Sequence, residues 1–77
     1  MKTVEIKVPS TMSDEGIKVK KWYVRDNENV KVNSLLVEIE SGDFYLEMNS
    51  DHTGKVKIFL NEGEMGKTND ILCTITY

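Results

Sequence analysis

This chain has little of what marks most kinds of protein chemistry. Its 77 residues include one cysteine, one histidine and one proline. A lone Cys73 cannot close an internal disulfide, and small secreted domains commonly depend on several, so a cytosolic location is the default expectation. His52 has no His or Cys partner at ligand spacing, which argues against a metal site. No apolar run approaches the roughly 20 residues of a membrane-crossing helix. The start, Met1-Lys2-Thr3-Val4-Glu5, has no signal-peptide core. Thirteen acidic and ten basic residues give a net charge of −3 with the signs interspersed. Nucleic-acid binding, which needs a basic stripe, is therefore not expected, and neither is a membrane. There is no nucleophile–base pair and no glycine-rich phosphate loop, so the chain reads as a non-enzyme. Helical periodicity is missing as well.

What remains is period-two alternation, the signature of half-buried strands. Val4, Ile6 and Val8 alternate with Glu5 and Lys7 until Pro9 ends the run. Ser10 to Glu15 reads as a polar loop ending at Gly16. Ile17 and Val19 start a second run whose parity breaks before Trp22 and Val24, which predicts a β-bulge at Lys20 and Lys21. Asp26-Asn27-Glu28-Asn29 and Asn33-Ser34 are turns around Val30 and Val32. Leu35, Val37 and Ile39 are expected inward, with Glu38 and Glu40 on the other face. Beyond a Gly42-Asp43 turn, Phe44, Leu46 and Met48 are expected inward, and Tyr45, Glu47 and Asn49 outward. Val56, Ile58 and Leu60 follow Gly54, Asn61 to Glu64 turn the chain, and Ile71, Cys73, Ile75 and Tyr77 close it. Seven or eight such strands in 77 residues predict one all-β domain over residues 1–77, a flattened barrel or sandwich. A chain of this length buries about 60% of the surface it exposes unfolded, so one thin core is all it can have.

The sequence also echoes itself. Shifted by 36 residues, Trp22 to Ile39 lies over Ile58 to Ile75 with five identities in eighteen positions: Glu28/Glu64, Lys31/Lys67, Asn33/Asn69, Leu36/Leu72 and Ile39/Ile75. With small offsets, Gly16 falls over Gly54, and Val8-Pro9-Ser10 over Met48-Asn49-Ser50. Two copies of a four-strand unit predict a quasi-twofold sandwich, with Ser41 to Phe44 as an exposed turn at one end.

Three segments carry a family resemblance over nearly the whole chain. Val8-Pro9-Ser10-Thr11-Met12-Ser13-Asp14-Glu15-Gly16, followed by Trp22, is similar to a proline, "SPTM" and "EG" opening. Leu36-Val37-Glu38-Ile39-Glu40-Ser41 is similar to an "LxEIET" run. Leu46-Glu47-Met48-Asn49-Ser50, with Gly54 and Glu62-Gly63, is similar to a "VEVPSPxxG…EGD" continuation. The chain thus resembles the lipoyl domains of 2-oxo acid dehydrogenase complexes, and more distantly the biotinyl carrier domains. The resemblance implies a barrel-sandwich hybrid of two four-stranded sheets. It also implies a hairpin apex at which a lysine carries the swinging cofactor arm. The family turn runs Asp-Lys-Ala, and the register from Trp22 and Gly54 sets Gly42, Asp43 and Phe44 there. Asp43 thereby takes the lysine position. Asn33 stands where the family commonly has a glycine. One residue is added between Gly16 and Trp22, and one is lost between Gly54 and Gly63.

A carboxylate cannot be acylated as an amine can, so no cofactor-binding residue is expected in Ser41-Gly42-Asp43-Phe44. The Gly-Asp tip itself reads as a type II′ hairpin turn, with glycine supplying the positive φ. No residue is assigned a catalytic role and none a metal. Trp22 and Cys73 read as core residues. Glu38, Glu40, Asp43, Tyr45 and Glu47 are the candidates for contact with a protein partner. The resemblance implies a lipoate-handling enzyme or a 2-oxo acid dehydrogenase component as that partner. Two readings stay open: an interaction module without the acceptor, or a true carrier (lipoyl rather than biotinyl) modified at another lysine such as Lys55 or Lys67. A third is a free-standing small domain that reuses the fold. Met1-Lys2 at the start and Tyr77 close to the last strand favour a complete small protein over an excised domain.

Overall fold

Strands this short have one apolar face and no stability alone, so they must pair and then cover one another. The computed structural model describes residues 1–9 and 16–77, which leaves the expected Ser10 to Glu15 loop outside the described residues. Eight strands follow in order: β1 Thr3–Lys7, β2 Ile17–Trp22, β3 Asn29–Val30, β4 Leu35–Ser41, β5 Phe44–Asn49, β6 Gly54–Ile58, β7 Met65–Gly66 and β8 Ile71–Thr76. They form two four-stranded sheets, β1-β8-β6-β3 and β5-β4-β2-β7, in which every pairing is antiparallel. The all-β, two-sheet expectation holds.

The quasi-twofold relation extends to single hydrogen bonds. Glu28 N donates to Arg25 O and Glu64 N to Asn61 O, while the same glutamates accept from Arg25 N and Asn61 N. Lys31 N donates to Ser34 Oγ, and Lys67 N to Asp70 Oδ2. Asp26 accepts from Ile58 N and Glu62 from Trp22 N, both at 2.8 Å, so each repeat's acidic turn caps a strand of the other. Asn33 and Asn69 hold left-handed backbone at φ 72° and 74°, and Asn27 and Gly63 do so at 69° and 85°. Asparagine tolerates this region better than any bulky residue, which explains how Asn33 keeps a turn that a glycine would also make. Two finer alignments fail. Val8 is equivalent to Ser50, since Asn69 N donates to Val8 O as Asn33 N does to Ser50 O. Gly54 pairs with Val30 as Ile17 pairs with Gly66, so Gly54 corresponds to Ile17 and not to Gly16.

The predicted bulge in β2 is present, where the register against β4 slips between Val19 and Lys21. Two further slips correct the alternation. Between Leu35 and Val37 on β4, and opposite Ile6 and Lys7 on β8, one extra residue enters the ladder. Those extra residues are Leu36 and Leu72, both fully buried beside Val37 and Cys73. Leu35 and Ile71, expected inward, are only half-buried as a result. The core comprises Val8, Ile17, Val19, Val30, Leu36, Val37, Ile39, Val56, Leu72, Cys73 and Ile75, drawn from both sheets. Trp22 packs on its margin, and its indole N–H donates to Leu60 O at 2.7 Å, which satisfies the one polar atom it brings inward. Val32 lies outside β3 and is exposed. Gly54 admits no side chain, because a Cβ there would sit 2.3 Å from Thr76 O in the adjacent strand.

Asn33 provides a direct test of the turn geometry. Asn33→Val forces a β-branched residue into left-handed backbone and should lower the unfolding free energy by about 1–2 kcal/mol. Asn33→Gly should leave it within about 0.5 kcal/mol. Urea unfolding followed by Trp22 fluorescence distinguishes the two.

Candidate functional site

The hairpin between β4 and β5 is closed by two residues, Gly42 and Asp43, with Ser41 paired to Phe44. Gly42 has φ 58° and Asp43 has an ordinary negative φ, the pattern of the type II′ turn expected from the sequence. The base of the turn is pinned from within: the buried Ser41 hydroxyl donates to Gly16 O at 2.9 Å. Asp43 itself is exposed at the apex, and neither apex residue carries a side-chain amine. Phe44, expected inward, is 74% exposed. It belongs to the inner face by parity, at the last rung of the sheet, where it pairs with Ser41.

The apex and the chain termini occupy opposite ends of the molecule. Gly16 and Gly66 sit beside Ser41, and Gly66 in turn meets Val8 and Asp70. Val8 and Asp70 mark the ends of β1 and β8 remote from the termini, where Lys2 and Tyr77 bond to each other. Tyr77 stacks on His52 at 4.5 Å between ring centroids, just past the far end of β5. Lys55, opposite Thr76, therefore lies at the terminal end. Lys67 lies beside Gly16, near the apex.

The candidate partner residues share the outer face of the second sheet. Glu40 pairs with Tyr45 on one side and Lys18 on the other, and Glu38 with Glu47 and Lys21. Lys20 Nζ lies 4.1 Å from the Tyr45 ring centroid and 4.0 Å from Glu38. Partial desolvation, and then the Glu38 and Glu47 carboxylates, hold the Tyr23 phenol above its ordinary range, which sets Tyr23 on the same patch. The face thus carries acid along β4 and β5 and base along β2. Lys18 and Lys20 were not among the expected partner residues; both were visible in the β2 run, but only the sheet order sets them beside Glu38 and Glu40. Tyr45 is exposed as expected, and Tyr23 is exposed as well.

Among the described residues, nothing gathers three or more metal-ligating side chains. A depression of about 210 Å³ beside the apex, between Gly16, Lys18, Glu40, Gly42 and Met65, is open and smaller than the roughly 300–1,000 Å³ of pockets that bury small ligands. Cys73 is fully buried, and burial pushes its thiol up to about 12, so the native side chain stays a neutral apolar filler.

This geometry is that of a rigid two-sheet body presenting one hairpin apex. The biotin/lipoyl family model, described as "Biotin-requiring enzyme", matches residues 4–75. The chain belongs to the biotin/lipoyl domain family. No curated protein matches it significantly. Domains of this family are carrier modules that work with partner enzymes and are not catalytic themselves. No helix among the described residues is long and apolar enough to cross a membrane.

The Cys73 environment has a pH signature. A thiol raised from 9.0 to about 12 by folding stays protonated when the unfolded chain would lose its proton. Its contribution is present in full below pH 9.0 and is lost progressively as pH rises toward about 12. Urea unfolding at stepped pH should show this decline above pH 9.0, and Cys73→Val should flatten it. The native thiol should resist alkylation at neutral pH and react only once the chain is unfolded.

Proposed function

We propose that this chain is a lipoyl-domain-like module in which Asp43 occupies the position of the acceptor lysine. It works by binding a protein partner and carries no cofactor arm. One observation supports this reading: the two-residue apex that presents the attachment residue in such a domain here presents a glycine and a carboxylate. Attachment of lipoate or biotin is an amide bond to an amine, and a carboxylate offers no nucleophilic nitrogen. The residues at the apex therefore do not fit the group that the family carries, and no transfer step is assigned to them. No catalytic residue is assigned either.

Recognition in this reading runs through Glu38, Glu40, Asp43, Tyr45 and Glu47. They form one acidic, tyrosine-bearing strip from the apex along β4 and β5. A partner with a basic face is steered and oriented by such a strip more than it is held by it. The partner class is a lipoate-handling enzyme or a component of a 2-oxo acid dehydrogenase complex, in the cytosol, with residues 1–77 as one module. A second reading keeps the carrier function and moves the modification to another lysine. Lys67 suits it better than Lys55, since Lys67 lies at the apex end.

Intact-mass analysis after incubation with a lipoate ligase, lipoate and ATP decides between the two, with a biotin ligase and biotin in parallel. The wild-type mass should not change, and Asp43→Lys should gain one acyl group at residue 43. Acylation of the wild type at Lys67 or any other lysine would establish the carrier reading. Failure of a folded Asp43→Lys variant to be modified would remove Asp43 from the acceptor position.

A further inference from the structure

Edge strands are where a closed pair of sheets can still bond, because they carry backbone donors and acceptors without a ladder partner. Here the edges are β1 and β3 in one sheet, β5 and β7 in the other. β3 and β7 have two residues each, too few to template a new strand. β1 is preceded by Lys2 and ends in Lys7, the residue type that natural edges use against pairing, and Lys7 is tied to Glu5 at 3.6 Å. β5 has neither lysine nor proline, and it exposes Phe44 at 74% and Tyr45 at 58%.

The hairpin fixes which groups of β5 face outward. Ser41 and Phe44 flank a two-residue turn and so form a hydrogen-bonded pair, which directs the backbone groups of Phe44, Leu46 and Met48 toward β4. Tyr45 and Glu47 then present their N–H and C=O groups to the open side. Among the described residues, no turn or loop hydrogen bond takes these groups up. An antiparallel strand added there must oppose outward residues to outward residues. For a second copy of β5 about a twofold axis, one register sets Glu47 against Glu47, and another sets Asp43 against Glu47. Both oppose like charges. Of the registers that avoid this opposition, the one centred on Leu46, which pairs Tyr45 with Glu47 of the second copy, overlaps the most of β5, from Phe44 to Met48.

We infer that β5 is a self-association edge, through which two copies of the chain pair antiparallel with Leu46 on the twofold axis and Tyr45 opposite Glu47. Each Tyr45–Glu47 pair exchanges both backbone hydrogen bonds, so the two sheets become one. On the inner side, Phe44 packs against Met48 of the second copy, which covers the most exposed aromatic of the hairpin. On the outer side, the incoming Glu47 arrives next to the Tyr45 ring on which Lys20 rests. That cation offsets the like-charge opposition of Glu38 and Glu47 within each copy. The outer faces stay open, and the inference does not depend on how the apex is read.

Sedimentation of the full chain from micromolar to millimolar concentration tests this, with cross-linking to fix the register. The wild type should shift from monomer to dimer. Glu47→Pro removes an outward N–H that serves no ladder bond within the chain, so it should keep the fold by circular dichroism and weaken the dimer about ten-fold or more. Glu47→Lys, which sets two cations beside one ring, should weaken it without any backbone change. Mild oxidation should link Leu46→Cys to itself across the axis, where non-hydrogen-bonded neighbours lie at about 4.5 Å between Cα atoms. Tyr45→Cys, whose neighbour is Glu47 and not itself, should link far less. A wild type that stays monomeric at millimolar concentration would overturn the inference. So would equal linking of the two cysteine variants, or an undiminished dimer in both Glu47 variants.

Discussion

Everything in this structure depends on an exchange of short strands between the two halves of the chain. The first repeat contributes β2 and β4 to one sheet but sends β3 across to pair with Gly54 and Lys55 of the other. The second contributes β6 and β8 and sends β7 back to pair with Ile17 and Lys18. β3 and β7 have only two residues each, yet the acidic turn beside each also caps a strand of the opposite repeat, through Asp26 on Ile58 and Glu62 on Trp22. Neither half can bury its apolar face without the other, so the halves form one cooperative unit. The hairpin apex inherits that rigidity, because Ser41 is anchored to Gly16 at the start of β2.

The architecture was legible because the period-two pattern and the 36-residue echo both follow from that exchange. A repeat that must fit its own copy keeps the same residue types at its turns, and Asn33 with Asn69 and Glu28 with Glu64 are what remain visible. The bulge at Lys20 and Lys21 was legible because it breaks parity within one strand. The slips at Leu36 and Leu72 were not, since adjacent apolar residues hide a change of phase: Leu35-Leu36-Val37 reads equally well with either leucine inside. Phe44 was misplaced for a different reason. Parity gives the face of a residue but not whether the opposing sheet extends far enough to cover it.

The apex shows how far a fold constrains its chemistry. A type II′ turn needs a residue that accepts positive φ at its first position, and Gly42 meets this at 58°. The second position needs only an ordinary backbone conformation and points into solvent. Lysine and aspartate are therefore equally acceptable to the backbone of such a hairpin. Fold membership and carrier chemistry are separable for this reason.

The quasi-twofold axis relates cores more strictly than surfaces, and the two long edge strands make the point. β1 and β5 occupy equivalent places, each hydrogen-bonded to a strand with a buried leucine slip. Inside, the equivalence is constrained by shared packing, as with Leu36 and Leu72 or Ile39 and Ile75. Outside, no shared packing constrains it. Lys7 on β1 corresponds to Asn49 on β5, and Thr3 to Tyr45, by the same hydrogen-bond matching that equates Val8 with Ser50. One edge is thus closed by charge, and the other is left with a tyrosine, a single carboxylate and backbone groups that no turn or loop among the described residues takes up. A duplicated fold can in this way keep one core while its two edges take up different relations to the surroundings.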